Sequence, residues 1–211
     1  MDHDFWHQRW EKNEIAFHEK KANPLLVEYF DKLQLKEGSR VFLPLCGKTL
    51  DIHWLLSLGF RVAGVELSEI AIKQLFSELG MEPNISKIGS LKHYQAEGID
   101  IFVGDFFQLD FQILGFVDAV YDRAALVALP QNLRVQYTKH LREITNSAKQ
   151  LLVCFEYEQS QMDGPPFSIL ENEVNDHYGK HYQMKILDCK KLEGGLKGKL
   201  KADEKVWLLL P

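Results

Sequence analysis

Cysteine is scarce in this chain: its 211 residues include Cys46, Cys154 and Cys189, far apart and with no C-x-x-C pair. Neither a disulfide framework nor a metal site is implied, and a reducing, cytoplasmic setting fits. No apolar run approaches the ~20 residues of a membrane span. Residues 1–20 are charged and aromatic, so no secretory leader is expected. Basic residues are not in excess: 25 Lys and Arg face 30 Asp and Glu, a net charge of −5. That argues against a nucleic-acid or anionic-membrane partner. Linkers and internal repeats are also lacking, and 45% of the residues are hydrophobic. Residues 1–211 therefore read as one α/β domain with a full core.

A glycine-rich phosphate loop is missing as well, and this bears on the stretch around which the chain is organised. Val41–Leu45 is a short apolar run, read as a buried strand that Pro44 brings to an end. Cys46-Gly47-Lys48 forms a turn, Thr49 caps a helix carrying Ile52, Leu55 and Leu56, and Gly59 stops it. Arg61–Glu66 is the next strand. Glu66 stands about 20 residues beyond the first strand, where a Rossmann-type unit places an acid on ribose hydroxyls. Only Gly47 is present of the G-x-G-x-x-G pattern, so a pyrophosphate cofactor such as NAD is disfavoured. A nucleoside without phosphate, such as S-adenosylmethionine, makes smaller demands. An ordinary βαβ unit with a solvated Glu66 is the plainer alternative.

Asp4 starts a short helix with Phe5, Trp6 and Trp10, read as an aromatic cap or as a lid within residues 1–20. Asn23-Pro24 begins a helix. Ser68 caps another that Gly80 ends. Residues 81–98 read as an irregular insertion with a short strand near Ser86–Ile88. Ile99–Val103, Phe116–Tyr121 and Leu151–Tyr157 are strands, and Pro130 opens a helix between the last two. Gly164-Pro165-Pro166-Phe167 is a rigid turn, and Ser168 with Glu171 reads as a capping box. His181–Lys191 and Lys205–Leu210 form a final hairpin. The whole is a doubly wound, mostly parallel sheet with an antiparallel last strand.

Four turns should share one sheet edge: Leu45–Lys48, Glu66–Ser68, Gly104–Phe107 and Asp122–Arg123. There Asp105 suits an exocyclic amine and Phe106 or Phe107 a base face. Arg123 either holds an anion or pairs with Asp122 or another acid. No nucleophile elbow, zincin motif or P-loop occurs; Gly47-Lys48-Thr49 lacks the upstream glycine, position 42 being phenylalanine. His177 and His181 do not read as a metal pair.

Leu43-Pro44-Leu45-Cys46-Gly47-Lys48 followed by Val65-Glu66-Leu67-Ser68-Glu69 resembles thiopurine S-methyltransferases. So do Tyr121-Asp122-Arg123 with Ala125–Ala128, Gly164–Phe167, and Trp6-x-x-x-Trp10 with Ala16-Phe17-His18. The resemblance runs from about Phe5 to Leu210 and is of bacterial length. It implies the class I, Rossmann-like fold of S-adenosylmethionine-dependent methyltransferases, with a seven-stranded sheet. It implies S-adenosylmethionine as methyl donor, held by Trp10, Leu45, Glu66, Asp105, Phe106 and Arg123. Phe17 and Arg123 match substrate-side positions, Arg123 is the candidate for a catalytic role, no obligatory general base is identified, and no metal is expected. The implied acceptor is a thiopurine, an aromatic thiol, or a selenium or tellurium compound, as in detoxification by a cytoplasmic monomer. Vertebrate members carry arginine in the loop before the last strand; Leu192–Glu204 has glycines and lysines instead. A non-catalytic nucleoside-binding module is the alternative class.

Overall fold

The computed structural model describes residues 3–15 and 18–211. Nine strands form one sheet: β1 (Arg40–Leu43), β2 (Arg61–Glu66), β3 (Asn84–Ile88), β4 (Leu91–Ala96), β5 (Ile99–Val103), β6 (Ala119–Arg123), β7 (Lys149–Glu156), β8 (Gln183–Lys191) and β9 (Asp203–Leu210). Their spatial order is β3-β4-β5-β2-β1-β6-β7-β9-β8. The five strands β5, β2, β1, β6 and β7 run parallel, and β9 is antiparallel to both β7 and β8. The helices are α1 (His3–Glu11), α2 (Pro24–Tyr29), α3 (Leu50–Ser57), α4 (Glu69–Leu79), α5 (Phe111–Leu114), α6 (Gln131–Ile144) and α7 (Glu171–Tyr178).

The sheet has nine strands where seven were expected. The difference is the β3–β4 hairpin, which pairs antiparallel with β5 and extends that edge. β3 is an edge strand with mostly exposed side chains, and it contains the short strand expected near Ser86–Ile88. β4 buries Leu91 and Tyr94. The turn between them includes Gly89 at φ +59°.

Alternation along the central strands builds two cores, one on each face. Val41, Leu43, Val62, Ala119 and Tyr121 pack on one side with Leu26, Ile52, Leu55 and Ile72 of α2, α3 and α4. Phe42, Val65, Val120 and Leu152 pack on the other with Tyr137, Leu141 and Val174 of α6 and α7.

The expected caps form at Asn23, Thr49 and Ser68, each side chain accepting from an N–H of the following turn. The capping box at Ser168 does not form. Ser168 Oγ accepts from the Tyr157 N–H at 2.9 Å, tying that loop to the end of β7, and α7 starts after Leu170 without a side-chain cap. Gly164–Pro165 and Pro165–Pro166 are cis. β6 runs two residues further than its apolar run suggested and takes in Asp122 and Arg123.

Candidate active site

A cavity of about 410 Å³ opens at the carboxyl ends of β1, β2 and β6. The edge at which α/β sheets bind ligands is therefore the one that carries it. Leu45, Gly47, Glu66 and Arg123 line it, as do Phe5, Trp6 and Trp10 of α1.

The first turn is shaped by an uncommon backbone. β1 ends at Leu43, ahead of Pro44, and Leu45 adopts φ +47°, a left-handed conformation that a branched side chain seldom takes. Ala124, after β6, is likewise left-handed at φ +63°, and it too lines the cavity. Two such residues at one rim are the kind of local strain that clusters at binding sites. Gly47 has φ +54°, and a Cβ there would sit 3.0 Å from Trp10 Cζ2. The Trp10 ring thus lies directly on the turn, and Trp10 is only 4% exposed.

Glu66 joins the two turns. One carboxylate oxygen accepts from the Gly47 N–H and the other from the Ser68 N–H, both at 2.8 Å. Burial raises its pKa, and the N–H groups of Ser68, Gly47 and Leu67 work against that rise. Each oxygen has a second acceptor direction beyond the backbone bond it receives. Cys46 is buried beside it, and burial followed by the Glu66 charge pushes its thiol well up. The turn cysteine is therefore a packed thiol rather than a nucleophile.

Arg123 does not pair with Asp122. Successive strand residues face opposite sides of the sheet. Asp122 points into the α6 side, where it accepts from Tyr137 OH at 2.7 Å and the Leu126 N–H at 3.1 Å. Arg123 points into the cavity side and donates to Glu19 at 2.5 Å. Glu19 also accepts from the Asn23 side chain at 3.3 Å. His18 lines the same wall, and burial, then Lys48, lowers its pKa, which keeps the ring neutral at pH 7.

Asp105 and Phe106 are not among the described residues lining this cavity. Asp105 caps its own turn, accepting from the Phe107 N–H at 3.1 Å. Phe106 is buried against Tyr137 and His140, with ring centroids 4.9 and 5.0 Å away. Its half-buried neighbour Phe107 is the ring nearer solvent at the end of β5. Phe17 lies outside the described residues.

Sequence reasoning passed over Glu19, Asp51 and Tyr121, which also line the cavity. Strand alternation does place Tyr121 on the face of Arg123, two residues on. Glu19 carries no comparable signal, since it reaches Arg123 across 104 positions. At the far end, Phe155, Pro165, Pro166 and Leu196 give an apolar wall, and the Lys197 ammonium, on that loop, donates to the Pro165 carbonyl at 2.9 Å.

The family model described as Thiopurine S-methyltransferase (TPMT) matches residues 1–208. This chain belongs to that family. It is 53% identical over 210 residues to the thiopurine S-methyltransferase of Xanthobacter autotrophicus, with 99% of each chain covered. It is 52% identical over 209 residues to that of Teredinibacter turnerae, covering 99% of this chain and 97% of the other. Among solved structures it is similar to 1,6-didemethyltoxoflavin-N1-methyltransferase of Burkholderia thailandensis, which was solved with S-adenosylhomocysteine. The TM-score is 0.67 at 15% identity, covering 99% of this chain and 87% of that one. The fold is that of S-adenosylmethionine-dependent methyltransferases, and membership of the family makes this chain an enzyme with S-adenosylmethionine as methyl donor.

Proposed function

We propose that this cavity holds S-adenosylmethionine and that the methyl group passes to the sulfur of a thiopurine or other aromatic thiol, or to a related selenium or tellurium acceptor. The observation that carries the reading is the pairing of Glu66 with the glycine-poor turn at the carboxyl edge of the sheet. Glu66 keeps acceptor directions for a ribose diol, and Gly47 leaves a cradle that a Cβ would crowd against Trp10. Both features suit a nucleoside without phosphate.

The acceptor side rests on the far wall. Phe155, Pro165, Pro166 and Leu196 offer flat apolar cover for an aromatic ring, and Arg123 faces the same space. A guanidinium there favours a thiolate over a thiol, and the thiolate is the better nucleophile. Alignment of that sulfur opposite the leaving sulfonium sulfur is the main source of rate, so the chain's part is to position and to exclude water. Residues 1–20 act as a lid over the reaction, with Trp6 and Trp10 as its apolar underside. Among the described residues no helix is long and apolar enough to cross a membrane. Cys46 and Cys154 are buried free thiols, which suits the reducing cytoplasm.

The test is a panel of thiopurines, thiophenols, selenite and tellurite with radiolabelled S-adenosylmethionine. Label on an aromatic thiol, or on a selenium or tellurium acceptor, is the expected result. Cofactor binding without transfer to any of them would support a non-catalytic binding module instead.

A further inference from the structure

Methylation of a neutral thiol releases a proton. The S–H bond breaks, and an electron pair on the acceptor sulfur forms the bond to the methyl carbon. The pair of the breaking C–S bond returns to the donor sulfur, so a sulfonium becomes a thioether. A pocket that excludes water must hold a group able to take that proton, or it is limited to thiols that arrive as anions.

The carboxylates that line the cavity are committed elsewhere. Both Glu66 oxygens accept backbone N–H groups. Glu19 is held by Arg123 and by Asn23, and Glu14 by Arg9 at 3.2 Å. Asp51 accepts from the Asn23 N–H at 2.6 Å and is 1% exposed. The Cys46 thiol is buried and keeps its own proton. Lys48 is a cation paired with Glu78 at 2.6 Å.

His18 differs from all of these. It lines the cavity, is half-buried rather than enclosed, and its ring makes no hydrogen bond among the described residues. Burial first, then the Lys48 charge, lowers its pKa; Arg123 adds to the fall, while Glu78 and Glu19 oppose it. The ring is therefore neutral at pH 7 and offers one nitrogen lone pair. In the chain it precedes Glu19, whose carboxylate sits on Arg123. The wall thus carries an uncharged base that can take a proton and a guanidinium that can hold the anion left behind.

We propose that His18 accepts the proton of the acceptor thiol as its sulfur attacks the methyl group, which extends the reaction to thiols that are protonated at neutral pH. The proton then passes from the imidazolium to solvent when the products leave. This rests on reading the cavity as the site of a thiol acceptor.

The test compares wild type with His18→Gln on two acceptors. One is 4-nitrothiophenol, which is an anion at pH 7. The other is phenylmethanethiol, which, like the cysteine side chain with its pKa of about 8.5, is protonated there. The loss of kcat/KM in the variant should be about 100-fold greater for phenylmethanethiol than for 4-nitrothiophenol. Wild-type kcat/KM for phenylmethanethiol should rise through a limb below the ordinary imidazole value of 6.5 and then level off. In the variant it should keep climbing toward the pKa of the thiol itself. Calorimetry should show S-adenosylhomocysteine bound by both proteins within about twofold.

An equal loss on both thiols would overturn the proposal, as would no loss on either. So would a variant whose S-adenosylhomocysteine affinity falls as far as its turnover, since His18 would then serve the cofactor. Wild-type turnover of 4-nitrothiophenol alone overturns it without any variant. Wild-type protein that binds S-adenosylhomocysteine and methylates neither thiol would instead remove the thiol reading beneath it.

Discussion

Arg123 on β6 donates to Glu19, 104 positions earlier, at 2.5 Å. Both belong to the cavity wall, so this pair fastens the segment after α1 to the sheet edge. Glu19 is about one-third exposed at its side chain and Arg123 much less. Exposed pairs contribute about 1 kcal/mol or less, so Glu19→Gln should leave the melting temperature nearly unchanged.

Arg123→Ala separates two roles. If Arg123 holds the cofactor's carboxylate, its loss should weaken S-adenosylhomocysteine binding by about 1.5–3 kcal/mol, as expected for hydrogen bonds to a charged group. If it holds the acceptor's thiolate, turnover of acidic thiols should fall while cofactor binding stays intact. Arg123→Lys should rescue little, because a point charge does not reproduce the planar fork. Unchanged binding and turnover in a folded Arg123→Ala protein would remove the residue from the site.

Glu66→Ala should cost both affinity and stability. Strand-end position and the expectation of an open crevice suggest a residue whose loss the fold tolerates. Instead Glu66 is 6% exposed and satisfies two backbone N–H groups, on turns 21 positions apart at Gly47 and Ser68. Orphaning those donors should lower stability by about 1–3 kcal/mol. Calorimetry should show weaker cofactor binding as well. Glu66→Gln, which retains one acceptor, should be milder in the melt. Urea titrations of both variants give the stability term independently of binding.

The parts of this architecture that were legible share a local cause. Apolar runs bounded by Thr49, Gly59, Ser68 and Gly80 define β1, α3, β2 and α4, because caps and periodicity act within a few residues. β3 contains the short strand expected near Ser86–Ile88, whereas β4, Leu91–Ala96, was not expected: only Leu91 and Tyr94 of it are buried, and it lies in a stretch broken by Gly89 and Gly98. The Ser168 capping box was a correct motif with a stronger competitor, the Tyr157 N–H, supplied from 11 positions away. Glu66 was legible from spacing. Its partner at Gly47 was not, since that N–H is aimed by the left-handed turn at Leu45. The Arg123–Glu19 relationship exists only once β6 and the N-terminal segment are assembled.

Asp122 makes stability depend on pH. It is buried, and desolvation lifts its pKa to about 6 from an ordinary 3.8, against the bonds from Tyr137 and Leu126. The folded state therefore holds a proton that the unfolded chain releases between about pH 4 and 6. With more protons bound when folded, the Asp122 contribution to stability falls as pH rises through that window and is flat above it. Asp122→Asn cannot titrate, so this part of the pH dependence should disappear. Chemical unfolding at pH 4, 5, 6 and 7 checks it: the variant should fare better against wild type at pH 7 than at pH 4. A constant difference across the series would show that Asp122 titrates at its ordinary value.

The N-terminal segment should behave as a lid. Trp10 covers Gly47, Phe5 and Trp6 meet edge to face at 5.2 Å, and Arg9 stacks on Phe5 at 4.9 Å while pairing with Glu14 at 3.2 Å. Phe5, Trp6 and Arg9 thus hold to one another and to Glu14, while Trp10 rests on the Gly47 turn. Closure over the cofactor would exclude water from the sulfonium. Amide exchange across residues 3–15 should therefore be fast without ligand and slow with S-adenosylhomocysteine, while β1 and β2 change little. Gly47→Ala tests the docking contact, because its methyl meets Trp10 and its φ of +54° disfavours alanine. That variant should lose the ligand-induced protection of α1 even at saturating ligand. Equal protection with and without ligand in the wild type would make the segment a fixed aromatic cap, part of the core rather than a gate.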